Sequence, residues 1–201
     1  MRSHRIIVFT ATATVCLLLR EMAVLQTILN FLTAPQTLEP EFVVPAPATT
    51  YSVHPLKSNQ LDDLLRLNLR CFRNGENYTK HTFAYLLDDA RTLAYKADAA
   101  SGEMIGFAVL MLNENGAAHL TTLGVAPEHR RRGVADNLLQ HLERSLRAKG
   151  IDTVHLEVRV TNAAAQKLYK RAGYTVVQRI ASYYNNGEDC LLMMKSVADG
   201  S

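Results

Sequence analysis

The stretch "TTLGVAPEHRRRGVADNLLQHLERSLRAKG", residues 121–150, constrains this chain more than any other. It reads as a strand stopped by Pro127, a loop carrying Arg130, Arg131 and Arg132, and a helix. In that helix Val134, Ala135, Leu138, Leu139, Leu142 and Leu146 fall at helical spacing, and Gly150 follows the basic end Arg147 and Lys149. Asn137, Gln140, Glu143, Arg144 and Arg147 form the expected polar face. The first N–H groups of a helix have no internal partner, and Gly133 lets the backbone approach a ligand closely. Such a loop is an anion site, to which arginine adds charge-assisted bonds. It is not a P-loop, because no Lys-Ser or Lys-Thr follows the glycine, and it lacks the three-glycine spacing of a Rossmann turn. A pyrophosphate carried by a different cofactor fits.

The elements around this unit alternate. A strand at "TYSVHPL" leads to Ser58 as an N-cap and to a helix carrying Leu61, Leu64, Leu65, Leu67 and Leu69. A second helix follows Thr79 through Phe83, Leu86 and Leu87. Three strands come next, "RTLAYKA", "MIGFAVLMLN" and "AAHLTTLGV", with turn signals at Ser101-Gly102 and Asn115-Gly116, so the last two form a hairpin. After the long helix, "DTVHLEV" alternates: Val154, Leu156 and Val158 on one face, His155, Glu157 and Arg159 on the other. A fourth helix runs from Asn162 to Arg171, and two terminal strands, "TVVQRIASYY" and "DCLLMMK", are joined at "NNGE". This order predicts an α/β domain around a mixed, mostly antiparallel sheet with about four helices.

Length and composition bound the rest. The chain has 201 residues, 48% of them hydrophobic, and a formal net charge of +3, which suits one globular domain and is too weakly basic to imply nucleic acid. Cys16, Cys71 and Cys190 have no metal-ligand or redox spacing, and an odd count argues against a disulfide framework. No metal site and a reducing, cytoplasmic setting are expected. Residues 1–34 form an apolar leader, read as an upstream start with Met22 as the second candidate, as a membrane-associating helix, or as a targeting peptide. The Pro-rich stretch 35–49 is expected to be a linker, 50–196 the working domain and 197–201 a tail.

Arg130-Arg131-Arg132-Gly133-Val134-Ala135 resembles the signature of the Gcn5-related N-acetyltransferase (GNAT) family: Arg or Gln, two residues, Gly, one residue, Gly or Ala. The resemblance covers about residues 50–196. "LEVRVTNAAAQKLYKRAGY" and "YYNNGED" are similar to the branch that acetylates protein N-termini, including the ribosomal-protein alanine acetyltransferases. It implies the GNAT fold and acetyl-CoA as co-substrate. It further implies that Leu123, Gly124 and Val125 pair with the pantetheine amides and that Arg130, Arg131, Arg132, Gly133, Val134, Ala135 and Asp136 surround the pyrophosphate. Asn162 then meets the cofactor arm, Glu157 serves as general base, Tyr169 as general acid, and Tyr183 and Tyr184 line the peptide groove. Relatives often carry a Phe-Pro-Trp-like turn where this chain has Asn74-Gly75-Glu76-Asn77-Tyr78.

The chemistry asks for these residue types independently. An α-amino group, with a pKa of about 8, must lose a proton before attacking a thioester, and a carboxylate takes it. A tyrosine hydroxyl protonates the departing thiolate, and Tyr169 follows Asn162 by seven residues, two helical turns, on one face. A backbone N–H near Val125 is suited to polarise the thioester carbonyl. The acceptor expected is a protein or peptide N-terminus. The alternatives are a small-molecule amine or a lysine side chain and, in another class, a catalytically silent protein that binds acyl-CoA or nucleic acid. His129, beside the arginines, is expected on the surface.

Overall fold

The computed structural model describes residues 43–72, 78–113 and 116–198. The leader 1–34, residues 35–42, Asn74 to Asn77, Asn115 and Cys16 lie outside the described residues. Seven strands form one sheet: β1 Tyr51–Pro55, β2 Thr92–Ala99, β3 Met104–Leu112, β4 Ala118–Val125, β5 Thr153–Arg159, β6 Thr175–Ile180 and β7 Cys190–Ser196. Their order is β1-β2-β3-β4-β5-β7-β6, and every neighbouring pair is antiparallel except β4 and β5. Four α-helices accompany them: α1 Leu61–Cys71, α2 Lys80–Asp88, α3 Val134–Ala148 and α4 Ala163–Arg171. The alternation read from the sequence is present.

The centre of the sheet is buried on both faces, whereas β6 at its edge is exposed. Strand β3, "MIGFAVLML", is a continuous apolar run because Ile105, Ala108 and Leu110 enter the core with α3 while Met104, Phe107 and Val109 enter a second core under α1 and α2. The first core gathers Leu138, Leu139, Leu142 and Leu146 of α3 with Val154, Leu156 and Val158 of β5, and Leu168 and Tyr169 of α4 pack against it. Burying each such side chain contributes on the order of 1.5–3 kcal/mol. Strand β5 thus sends its valines and leucine to the α3–α4 side, as the alternation predicts, which leaves His155, Glu157 and Arg159 for the α1–α2 side.

Several local expectations are corrected. Ser58 opens a 3₁₀ turn, Ser58–Gln60, so Gln60 rather than Ser58 precedes α1; a tight turn of this kind commonly leads into an α-helix. Glu143 is not on a solvated face of α3. It sits among Leu139, Leu142 and Leu146 at 6% exposure, and its Oε1 accepts from Lys195 Nζ of β7 at 2.6 Å, the pairing a buried carboxylate requires. His129 is also buried, because Pro127 starts a 3₁₀ turn, Pro127–His129, that carries the ring inward. The sixth strand stops at Ile180, before Tyr183 and Tyr184, which lie in the turn that leads to β7.

Gly124 shows how tightly β4 is packed. A Cβ there would lie 2.6 Å from Cε1 and 2.8 Å from Cζ of Phe107, its register partner on β3, and 3.1 Å from Cys71 Sγ. The Phe107 ring cannot yield easily, since it is fully buried and edge-packed against Phe72 and Phe83. Gly124→Ala is expected to lower stability by about 1–3 kcal/mol through overpacking. Thermal unfolding followed by circular dichroism checks this, and an unchanged melting temperature would contradict it.

Candidate active site

The anion loop joins β4 to α3. Arg131 adopts φ 62° and Gly133 φ 78°, so two left-handed residues flank Arg132 before the helix begins. Gly133 is the N-cap of α3, and its carbonyl receives the N–H of Asn137 at 3.0 Å. Among the described residues, none of the backbone N–H groups from Arg131 to Asp136 donates to a backbone carbonyl. Six consecutive donors at the positive end of a fifteen-residue helix make an anion cradle.

The three arginine side chains do different things. Arg130 donates from Nε to Val125 O at 3.2 Å and from its guanidinium to Cys71 O at 3.2 Å, tying the end of β4 to the end of α1. Arg132 donates to Pro47 O at 2.7 Å and to Ala46 O, holding the segment before β1. Arg131 is exposed and makes no side-chain hydrogen bond or ion pair among the described residues. Val134 is buried, Ala135 is half-buried, and the Asp136 carboxylate is held bidentately by Arg171 of α4 at 2.9 Å, so the N-terminus of α3 is fixed to α4.

Beside this loop the sheet opens. Strands β4 and β5 are in register only at Ala118↔Val154 and His119↔His155; β4 then runs on to Val125 and β5 to Arg159 without pairing to each other. Leu123, Gly124 and Val125 lie in this part of β4, bonded to β3 on one edge, with the other edge turned toward the gap. Exposed polar backbone between two strands is a place for a ligand that carries amides.

Glu157 stands on β5 two residues beyond the last aligned pair. His155 and Arg159 share its face of β5. The structure pairs it instead with His119 of β4, Nε2 to Oε2 at 2.7 Å, while the His155 ring stacks on His119 with centroids 4.8 Å apart. Arg159 binds the Glu188 carboxylate at 2.7 Å and lies 3.7 Å over the Tyr184 ring. Burial pushes the Glu157 carboxyl up, but the His119 hydrogen bond and the charges of His119 and His155 outweigh it, and the group is held below the ordinary range. His155 is lowered, by burial first and by His119 second.

Four tyrosines and an asparagine complete the picture. Asn162 caps α4, its Oδ1 receiving the N–H of Ala165 at 3.0 Å. Tyr169, on α4, is packed edge-on against Tyr174, and burial raises its phenol, so it keeps its proton at neutral pH. Tyr183 is pushed up to about 12 by burial, with a contribution from Glu157, which places it near the carboxylate. Tyr184 turns to Arg159 instead, so the adjacent pair divides. Sequence reasoning missed His119 and His155 as neighbours of Glu157. It also took Tyr78 only as part of an unusual turn, whereas the Tyr78 hydroxyl donates to Thr121 O at 3.1 Å and its phenol is raised by burial and then by Glu157. Cys71 and Cys190 are pushed up by burial to about 12 and about 11, which makes both thiols inert.

The loop follows the parted end of β4, and the Glu157 carboxylate stands on the parted part of β5. Residues 61–174 match the model of the acetyltransferase (GNAT) family, and the chain belongs to that family as an N-acetyltransferase. It is 31% identical over 141 residues to N-alpha-acetyltransferase 20 of Dictyostelium discoideum, covering 68% of this chain and 82% of the relative. The crystal structure of the ribosomal-protein-S18-alanine N-acetyltransferase from Escherichia coli superposes with a TM-score of 0.67 at 27% identity, covering 76% of this chain and 97% of that one. A structure of an N-acetyltransferase from Thermoplasma acidophilum in complex with coenzyme A shares the fold, with a TM-score of 0.62 at 19% identity over 73% and 99% of the two chains. No helix among the described residues is long and apolar enough to cross a membrane.

The unequal partners of the arginines give a stability test. Arg132→Ala releases two carbonyls and is expected to lower the melting temperature measurably, whereas Arg131→Ala is expected to leave stability within about 0.5 kcal/mol. Equal losses in denaturant unfolding of the two variants would contradict this division.

Proposed function

We propose that the protein acetylates the N-terminal α-amino group of a protein or peptide, with acetyl-CoA as donor, by direct attack in a ternary complex. The observation that carries the reading is Glu157, a partly buried carboxylate kept ionised beside the gap between β4 and β5. The names of the similar N-alpha-acetyltransferase and ribosomal-protein alanine acetyltransferase support the choice of acceptor.

The residues present fit acetyl-CoA. The partnerless N–H groups from Arg131 to Asp136 suit its pyrophosphate, and the Arg131 side chain adds a positive charge no other described residue engages. Arg130 and Arg132 shape the loop from behind. Leu123, Gly124 and Val125 offer the open edge of β4 to the pantetheine amides, and Asn162, already the cap of α4, borders the arm. When bound, acetyl-CoA supplies an acetyl group activated as a thioester.

Glu157 takes the proton that the acceptor ammonium must lose, directly or through one water. The amine nitrogen then forms the new C–N bond as the C–S bond breaks, and the Tyr169 hydroxyl gives its proton to the sulfur. The proton shed by the acylated nitrogen restores Tyr169, and Glu157 releases the first proton to water. Glu157 and Tyr169 belong to opposite sides of β5, and in this reading the thioester reaches both through the gap. His119 is a positioning residue: it orients the carboxylate and lowers its proton affinity. Tyr183, and Tyr184 braced by Arg159, border the acceptor side.

The test measures CoA thiol release by the full chain against peptides beginning Ala, Ser or Met, matched N-blocked peptides with one Lys, and a polyamine. Turnover confined to free N-termini supports the proposal, and turnover only on the lysine peptides or the polyamine overturns the acceptor. Glu157→Gln is expected to lower kcat by about 10²–10⁴-fold. Arg131→Ala is expected to raise KM for acetyl-CoA with little change in kcat. Glu157 acts only when ionised, and His119 helps hold its pKa down; His119→Gln therefore moves the acidic limb of the kcat/KM profile to higher pH. An acidic limb that stays in place in this variant would remove His119 from the mechanism.

A further inference from the structure

His119 and His155 are the last aligned residues of the only parallel strand pair in the sheet, and their rings stack within 12° of parallel. Glu157 projects from the same face of β5 as His155, two residues on. One donor atom from each of the three lies within 4.8 Å of the others. We propose that His119, His155 and Glu157 bind one divalent ion of the Zn²⁺ class, with a fourth position open to water.

The donor set favours that chemistry. Two imidazoles and one carboxylate suit zinc, whereas magnesium and calcium prefer all-oxygen shells. Zinc holds nitrogen and oxygen at roughly 2.0–2.2 Å, which sets tetrahedral donors roughly 3.4 Å apart. The His119–Glu157 contact at 2.7 Å opens and the third donor closes to reach this, through side-chain rotation alone. β3 and β7 fix the two strands from outside, so the adjustment falls to the side chains. The two histidines and the glutamate are half-buried, with an opening to solvent through which an ion can enter. The other cation on this face, Arg159, is directed to Glu188 and Tyr184.

Occupation would take the Glu157 oxygen that receives the ammonium proton, so the ion is an inhibitor of acetyl transfer. That consequence rests on the base role given to Glu157; the site itself does not.

Calorimetric titration of the chelator-treated full chain with Zn²⁺ tests the site, with Co²⁺ as an optical probe of four-coordinate geometry. One ion per chain is expected, with affinity weakened roughly tenfold or more by His155→Gln or by Glu157→Gln. The double variant His119→Gln/His155→Gln is expected to lose binding and the cobalt absorption, whereas His54→Gln, on β1, retains both. Circular dichroism melts confirm that the variants are folded. No uptake by the wild type, or undiminished uptake by the double variant, overturns the proposal. Binding at the three residues without inhibition of turnover upholds the site and overturns the base role of Glu157; inhibition relieved by chelator supports both.

Discussion

Two aligned residue pairs, Ala118↔Val154 and His119↔His155, join the halves of this sheet. Every other neighbouring pair of strands is antiparallel and longer, so the β4–β5 join is the shortest in the sheet. The rest follows from that constraint. The strands can part because other elements hold each one, β3 along β4 and β7 along β5, while Leu138, Leu139 and Leu142 of α3 share one core with Val154, Leu156 and Val158 of β5. The gap leaves the β4 edge bare on one side and the Glu157 carboxylate on the other, and β4 leads on through the arginine loop to α3.

Charge is used twice in this framework, once to build and once to act. Glu143 and Lys195 meet inside the protein and tie α3 to β7, and Asp136 and Arg171 tie α3 to α4. A buried pair of this sort adds little net stability over apolar packing, but loss of one member leaves a costly charge behind, so it specifies the placement of α3. The exposed Arg131, by contrast, sits on a left-handed backbone that costs on the order of 1–2 kcal/mol for a residue with a side chain. Such strain persists where the surroundings over-determine it, and here Arg130 and Arg132 supply the determination on either side.

Much of this was legible in the sequence because it is local. The period of Val134 to Leu146, the alternation of Val154 to Val158 and the Gly133 turn report backbone state directly, and each element appeared where its pattern put it. What escaped depends on contacts distant in the chain. Glu143 looks like a surface residue until Lys195 is brought beneath it, and His119 and His155 are 36 positions apart with nothing in their spacing to reveal a parallel register. The signal that could have joined them is the pairing of "AHL" with "VHL", two similar triplets on adjacent strands, and it is weak. The arginine run does not reveal in sequence which residue does what, because the carbonyls of Cys71, Ala46 and Pro47 that divide its labour are distant in the chain.

The bond from Arg132 to Ala46 and Pro47 also fixes a point of departure. Whatever precedes residue 46 leaves the domain beside the anion loop, pinned a second time by the Ala46 N–H on Glu128 O at 3.1 Å. The segment that enters β1 is therefore seated on the same loop that carries the anion cradle, by one guanidinium and one backbone bond.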